Sequence, residues 1–100
     1  MSGYRLSRRA ERDLENIWRY TASRWGVAQA DDYLGSIMSA MDTLAEGNSR
    51  RQSRRRASAN YARHLVGSHA IYSRTRPGST TLIVRVLHQS MDAGAQLGKP

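Results

Sequence analysis

The chain has 100 residues, 39% of them apolar, which is enough for one small core and leaves no room for a second. Sixteen basic residues against eight acidic ones give a formal charge of +8, which favours an acidic partner (nucleic acid, membrane surface or acidic protein) without choosing among them. The absence of cysteine excludes a disulfide framework and a thiolate metal site, and no apolar run approaches the ~20 residues of a membrane span.

Met1 to Tyr20 alternates charged and apolar positions and lacks a signal-peptide core, so a cytoplasmic domain is expected. Tyr4-Arg5-Leu6 is short and alternating, as an edge strand is. Ser7 stands where a helix N-cap belongs. Ala10, Leu14, Ile17, Trp18 and Thr21 then mark one face of a helix ending near Arg24, and the seven-residue spacing of Trp18 and Trp25 predicts both on the core side. Gly26 supplies a positive φ for the turn into a second helix, whose apolar positions run from Val27 through Ala30, Leu34, Ile37, Met38, Met41 and Leu44 to Ala45. So short a link predicts an antiparallel helical hairpin, with Gly47 as its C-terminal cap.

Residues 48–58 carry five arginines and no apolar period, and read as a mobile basic loop. From Tyr61 the period becomes two, predicting a strand to Val66 and a two-residue turn at Gly67-Ser68. A second strand follows from His69 to Thr75. Arg76-Pro77-Gly78-Ser79 fits a type II turn, and Thr80–His88 is the most strongly β-branched and apolar strand. Residues 89–100 form a tail with a helical turn near Met91–Leu97. The expected architecture is one α+β domain over residues 1–100: an N-terminal strand, a helical hairpin, and a three-stranded antiparallel meander. Tyr4–Leu6 is placed beside the last strand.

Charge is divided unevenly along the chain. Residues 1–47 hold six arginines against seven acids, net −1, whereas residues 48–100 hold nine arginines and Lys99 against Asp92 alone, net +9. Two helices cover one face of such a sheet. Leu82, Val84 and Val86 are assigned to that face, which leaves Ile83 and Leu87, flanking Arg85, on the other. An apolar strip edged by Arg63, Arg74 or Arg85 suits a protein partner better than nucleic acid.

Catalytic signals are sparse. The eight glycines form no phosphate loop, no metal-ligand spacing occurs, and neither metal nor cofactor is expected. Asp31 and Asp32 diverge on their helix and read as a solvated face. His64, His69 and His88 could serve as acid/base groups on a sheet, although ordinary strand positions are the simpler reading. Arg50–Arg56 could contact phosphates, but the basic half offers only Tyr61 and Tyr72 as aromatic platforms.

Four strings, "YRLSRRAERDLENIWRYTASRWG" (residues 4–26), "AQADDYL" (28–34), "GSHAIYSR" (67–74) and "IVRVLHQSMD" (83–92), resemble the ParE toxins of bacterial type II toxin–antitoxin modules. "RWG", "GSH" and "VLHQSMD" are the most specific parts. The segment from Glu46 to Leu65 departs from the family pattern, keeping Tyr61 and Arg63 of its "GYRR" strand. The resemblance implies a β-α-α-β-β-β fold of the RelE/ParE kind and a non-enzymatic toxin inhibiting DNA gyrase. It also implies a ParD-like antitoxin whose acidic C-terminal segment binds the toxin in a hetero-oligomer and whose own domain reads DNA. Antitoxin or target contacts are then expected from Arg54, Arg55 and Arg56, from Tyr61, Arg63 and Arg74, and from Ile83, Arg85, Leu87, His88 and Met91. The alternatives are a RelE-like ribosome-dependent mRNA endonuclease using His88, Arg85 and Arg63, or a non-toxic binding remnant of the family.

Overall fold

The computed structural model describes residues 3–46, 55–58, 61–74 and 80–90. Its elements in chain order are β1 (Tyr4–Leu6), α1 (Arg8–Trp25), α2 (Val27–Ala45), β2 (Arg55–Ser58), β3 (Tyr61–Val66), β4 (His69–Arg74) and β5 (Thr81–His88). The strands form one mixed sheet in the order β1-β5-β4-β3-β2, antiparallel throughout except for β1, which runs parallel to β5. The N-terminal strand therefore lies beside the last one, as expected. The expected Gly47 cap, the turn at 76–79 and the helical turn near 91–97 lie outside the described residues.

Ser7 fixes the start of α1. Its Oγ accepts from Ala10 N–H at 3.0 Å and donates to the Val84 carbonyl at 2.7 Å, while its own N–H bonds Ile83 O at 3.0 Å. One residue thus caps the helix and pins it to the edge of β5. Gly26 takes φ 99°, a value that disfavours any other residue, and its amide closes the helix on Ala22 O. Across the hairpin, Trp18 Nε1–H donates to Asp31 Oδ1 at 2.8 Å, so Asp31 straps the two helices rather than only meeting water.

The core forms where the helical stripe meets the inner face of the sheet. Ala10, Leu14 and Ile17 of α1 and Ile37, Met41 and Leu44 of α2 pack on Ile71, Ile83 and Val86. Burying each large side chain of this set contributes ~1.5–3 kcal/mol before the entropy of ordering is subtracted.

Three expectations are corrected. The basic segment is not wholly a loop: Arg55–Ser58 pairs with β3 as an additional strand, Arg55 opposite Arg63 and Arg56 opposite Ala62. Trp25 is not in the core but 68% exposed, because Thr21 is the last buried position of α1 and the final turn runs past it. Ile83 does not lie on the outer face. The pairing passes from Tyr72↔Arg85 to Ser73↔Ile83, so Val84 is an extra residue that reverses the alternation. Ile83 joins Val86 in the core, fully buried.

The outer face likewise differs from an open apolar strip. Ala70 and Leu87 are cross-strand partners, and with Tyr72 they form a second buried cluster against which Leu65 packs.

Candidate functional site

The described residues line a cleft of about 620 Å³ where the end of α1, the first turns of α2, the β3–β4 turn and the end of β5 converge. Tyr20, Arg24 and Trp25 line it from α1, Gln29 and Tyr33 from α2, and Ser68, His69 and His88 from the sheet.

Tyr33 organises the floor. Ser68 N–H donates to its hydroxyl at 3.0 Å, and the same oxygen lies 2.7 Å from His69 Nδ1. The phenol can give its proton to Nδ1 or take one from it, so the Tyr33–His69 hydrogen bond forms with either tautomer of His69. Gly67 makes this possible: it holds φ 55°, and a Cβ there would lie 2.6 Å from the Tyr33 ring. Beside it the His69 and His88 rings meet edge-on, centroids 5.5 Å apart. Burial lowers the His69 pKa below its ordinary value and the neighbouring His88 lowers it further, against a smaller raising effect of Asp13. Ser90 N–H donates to His88 Nδ1 at 3.1 Å, and Gln89 ties the end of β5 to the turn through Gly67 O and Ser68 O.

At the cleft mouth the Arg24 guanidinium lies 5.5 Å from the Tyr20 ring centroid. Tyr20 is 61% exposed and Trp25 68%. Among the described residues the lining contains no carboxylate.

Arg63 and Arg74 sit on the other side of the sheet. Cross-strand pairing sets Arg63 opposite Tyr72, and its Nε donates to the Tyr72 hydroxyl at 3.1 Å. Arg74 lies over the Tyr61 ring at 5.9 Å. Arg85 is drawn to α1, where Asp13 binds it at 2.8 Å. Arg54 and Met91 lie outside the described residues, and Arg55 and Arg56 are placed as backbone of β2.

The family profile described as "ParE toxin of type II toxin-antitoxin system, parDE" matches residues 4–93. The chain belongs to the ParE toxin family. It is 45% identical to "Toxin ParE1" of Caulobacter vibrioides over 98 residues, covering 98% of this chain and all of the relative. It is 38% identical to "Toxin ParE1" of Mycobacterium tuberculosis over 96 residues, covering 96% of this chain and 98% of the relative, and 33% identical to "Toxin ParE" of Escherichia coli over 99 residues, covering 97% and 94%. The solved structure "Chromosomal ParDE TA system from P. aeruginosa" has the same fold, with a TM-score of 0.75 at 17% identity over 88% of this chain and 96% of the other. The chain is thus a toxin of a type II toxin–antitoxin system.

The strings that carry the ParE resemblance most specifically meet in space. Arg24-Trp25-Gly26 forms the hairpin tip, Gly67-Ser68-His69 the β-turn and its exit, and the "VLHQSMD" string begins along β5, and all three contribute to the cleft. His69 and His88 stand out in the sequence as candidates, and Arg24 falls within the "RWG" string, whereas the only linear signal of Tyr20 and Tyr33 is proximity to the apolar period of each helix. By contrast, the residues named for a nuclease do not converge: Arg63 is on the outer face, Arg85 is bound to Asp13, and His88 lines the cleft on the helix side.

Among the described residues, no helix is long and apolar enough to cross a membrane, and no group of three or more His, Asp or Glu side chains could hold a metal ion.

Proposed function

We propose that the chain is a cytoplasmic growth inhibitor that acts on DNA gyrase without chemistry of its own and is held silent by a ParD-like antitoxin. The observation that carries this reading is the family match, which spans residues 4–93 and is joined by relatives named as ParE toxins over nearly the full length. A solved relative of the same fold is described as a ParDE system, which supports an antitoxin of the ParD kind.

The electrostatics fit such a partner. Residues 48–100 carry net +9, and Arg63 and Arg74 present guanidinium groups on the outer face beside Tyr72 and Tyr61. An acidic amphipathic segment laid there gains charge-assisted hydrogen bonds from the arginines and apolar contact with the partly exposed Tyr61 ring. Buried Ile83 and Leu87 are removed from this proposed surface. DNA is then reached only through the antitoxin, within the hetero-oligomer.

Separation of Arg63, Arg85 and His88 disfavours the mRNA endonuclease. General acid/base work on a phosphodiester needs its proton donors and cations within hydrogen-bond reach of one reacting group. Purified chain should block gyrase supercoiling and leave cell-free translation running. The reverse outcome overturns the proposal.

A further inference from the structure

The outer face and the cleft lie on opposite sides of the sheet, and their chemistry differs. The outer face offers the Arg63 and Arg74 guanidinium groups beside a closed cluster. The cleft, among the described residues, offers aromatic surface, two imidazoles and the Arg24 guanidinium. We infer that the cleft, and not the outer face, is where the toxin engages its target, and that its occupant is a protein segment pairing aliphatic side chains with a carboxylate. This inference rests on the proposed action on gyrase.

Four observations carry it. First, Trp25 and Tyr20 expose most of their area at the mouth of a concave site, against the usual tendency of large aromatics to be covered. Tryptophan, tyrosine and arginine are the residue types that dominate binding energy at protein interfaces, and here all three stand within one helical turn and a half, as Tyr20, Arg24 and Trp25. Second, the charge is one-sided among the described residues: Arg24 is the permanent cation of the described lining, and none of those lining residues carries a carboxylate. An incoming Asp or Glu therefore meets attraction from Arg24.

Third, the site is preformed. The Tyr33 hydroxyl, the Ser68 amide and His69 lock the floor, and Gln89 holds the end of β5 to the turn. Little ordering is left to be lost on binding. Fourth, a single guanidinium already resting on Tyr20 is a poor counterpart for a polyphosphate backbone, which requires several cations along its track. The balance of aromatic surface to charge thus favours a protein segment over nucleic acid.

The test compares Trp25→Ala and Arg24→Glu with the parent chain in gyrase supercoiling inhibition, and measures ParD-like antitoxin binding in parallel. Both positions are exposed, and circular dichroism melts verify that the variants fold. Each variant is expected to need at least tenfold more protein for half-inhibition, with antitoxin affinity unchanged within about twofold.

Full inhibition by both folded variants overturns the cleft assignment and leaves the gyrase reading standing. Equal loss of inhibition and antitoxin binding also overturns it, because one surface would then serve both partners. A parent chain that does not inhibit gyrase overturns both readings together. Binding of a single-stranded oligonucleotide that weakens steeply with salt and is lost in Trp25→Ala assigns the cleft to nucleic acid and overturns the protein segment.

Discussion

The carboxylate of Asp13, on the second turn of α1, grips Arg85 of β5 through both oxygens, Oδ2 to Nε at 2.8 Å and Oδ1 to Nη2 at 3.0 Å. Oδ2 also accepts the Val86 amide at 2.9 Å. β1 ends at Leu6, opposite Ile83, so the edge of β5 beyond that point would face solvent. Ser7 and Asp13 occupy it instead, one residue bonding Ile83 and Val84, the other Arg85 and Val86. The hydrogen bond that Arg85 donates to Asp13 raises the Arg85 pKa above its already high value, so the guanidinium stays charged across all working pH.

Removing Asp13 leaves a guanidinium and an amide in a largely enclosed site. Asp13→Ala should destabilise the fold by about 2–4 kcal/mol, the range for orphaning a paired charge and a backbone donor. Asp13→Asn keeps an acceptor for Val86 and should lose less. Urea denaturation of the two variants measures the difference, and equal losses would show that the amide contact is immaterial.

Gly67 and Tyr33 are coupled through space. Gly67→Ala meets two obstacles, a left-handed backbone costing about 1–2 kcal/mol and a methyl group overlapping the Tyr33 ring. In a Tyr33→Ala background only the first obstacle remains, so the glycine substitution should cost less there. A double-mutant cycle reads the coupling directly, and additive losses would refute it.

Stability should fall on the acid side because of His69. Its folded pKa is depressed, first by burial and then by His88, so the unfolded chain binds the proton more readily. Below the ordinary histidine value near 6.5, the unfolded state gains protons that the folded state resists, and stability drops until the folded pKa is passed. His69→Gln retains a hydrogen-bonding partner for the Tyr33 hydroxyl and removes the titration. Denaturation midpoints between about pH 5 and 7.5 should show a shallower slope in this variant, and an unchanged slope would assign the acid loss to other groups.

The helical hairpin was legible because period and punctuation agree: Ser7 caps, Gly26 turns, and Ala10, Leu14, Ile17, Ala30, Ile37 and Met41 keep helical spacing to the core. The β3–β4 hairpin was legible for the same reason, with Gly67 opening a two-residue turn. Strict alternation failed at Val84, since a bulge depends on how two strands pair and leaves no mark in one strand's own residues. Arg55–Ser58 was hidden because a strand whose residues are mostly polar and basic lacks apolar alternation and forms only by pairing with β3. The cleft was legible only in pieces. His69 and His88 could be seen as candidates, but their meeting with Tyr33 and Trp25 brings together residues 36 to 63 positions apart.

Arg74 separates the two proposed surfaces from the other direction. It is exposed on the outer face, over Tyr61. Arg74→Glu should weaken binding of an acidic antitoxin about tenfold, mostly through slower association and with reduced salt dependence, while inhibition of gyrase by free toxin is preserved. Calorimetric titration at two ionic strengths checks the first part. Unaltered affinity would remove Arg74 from the antitoxin surface.

The most direct test of the whole account is a supercoiling titration with purified gyrase, the chain and its ParD-like antitoxin. Supercoiling should be lost as the chain is added and recovered as the antitoxin approaches equimolar amounts. Supercoiling that persists at large excess of the chain, or inhibition that the antitoxin does not relieve, would contradict it.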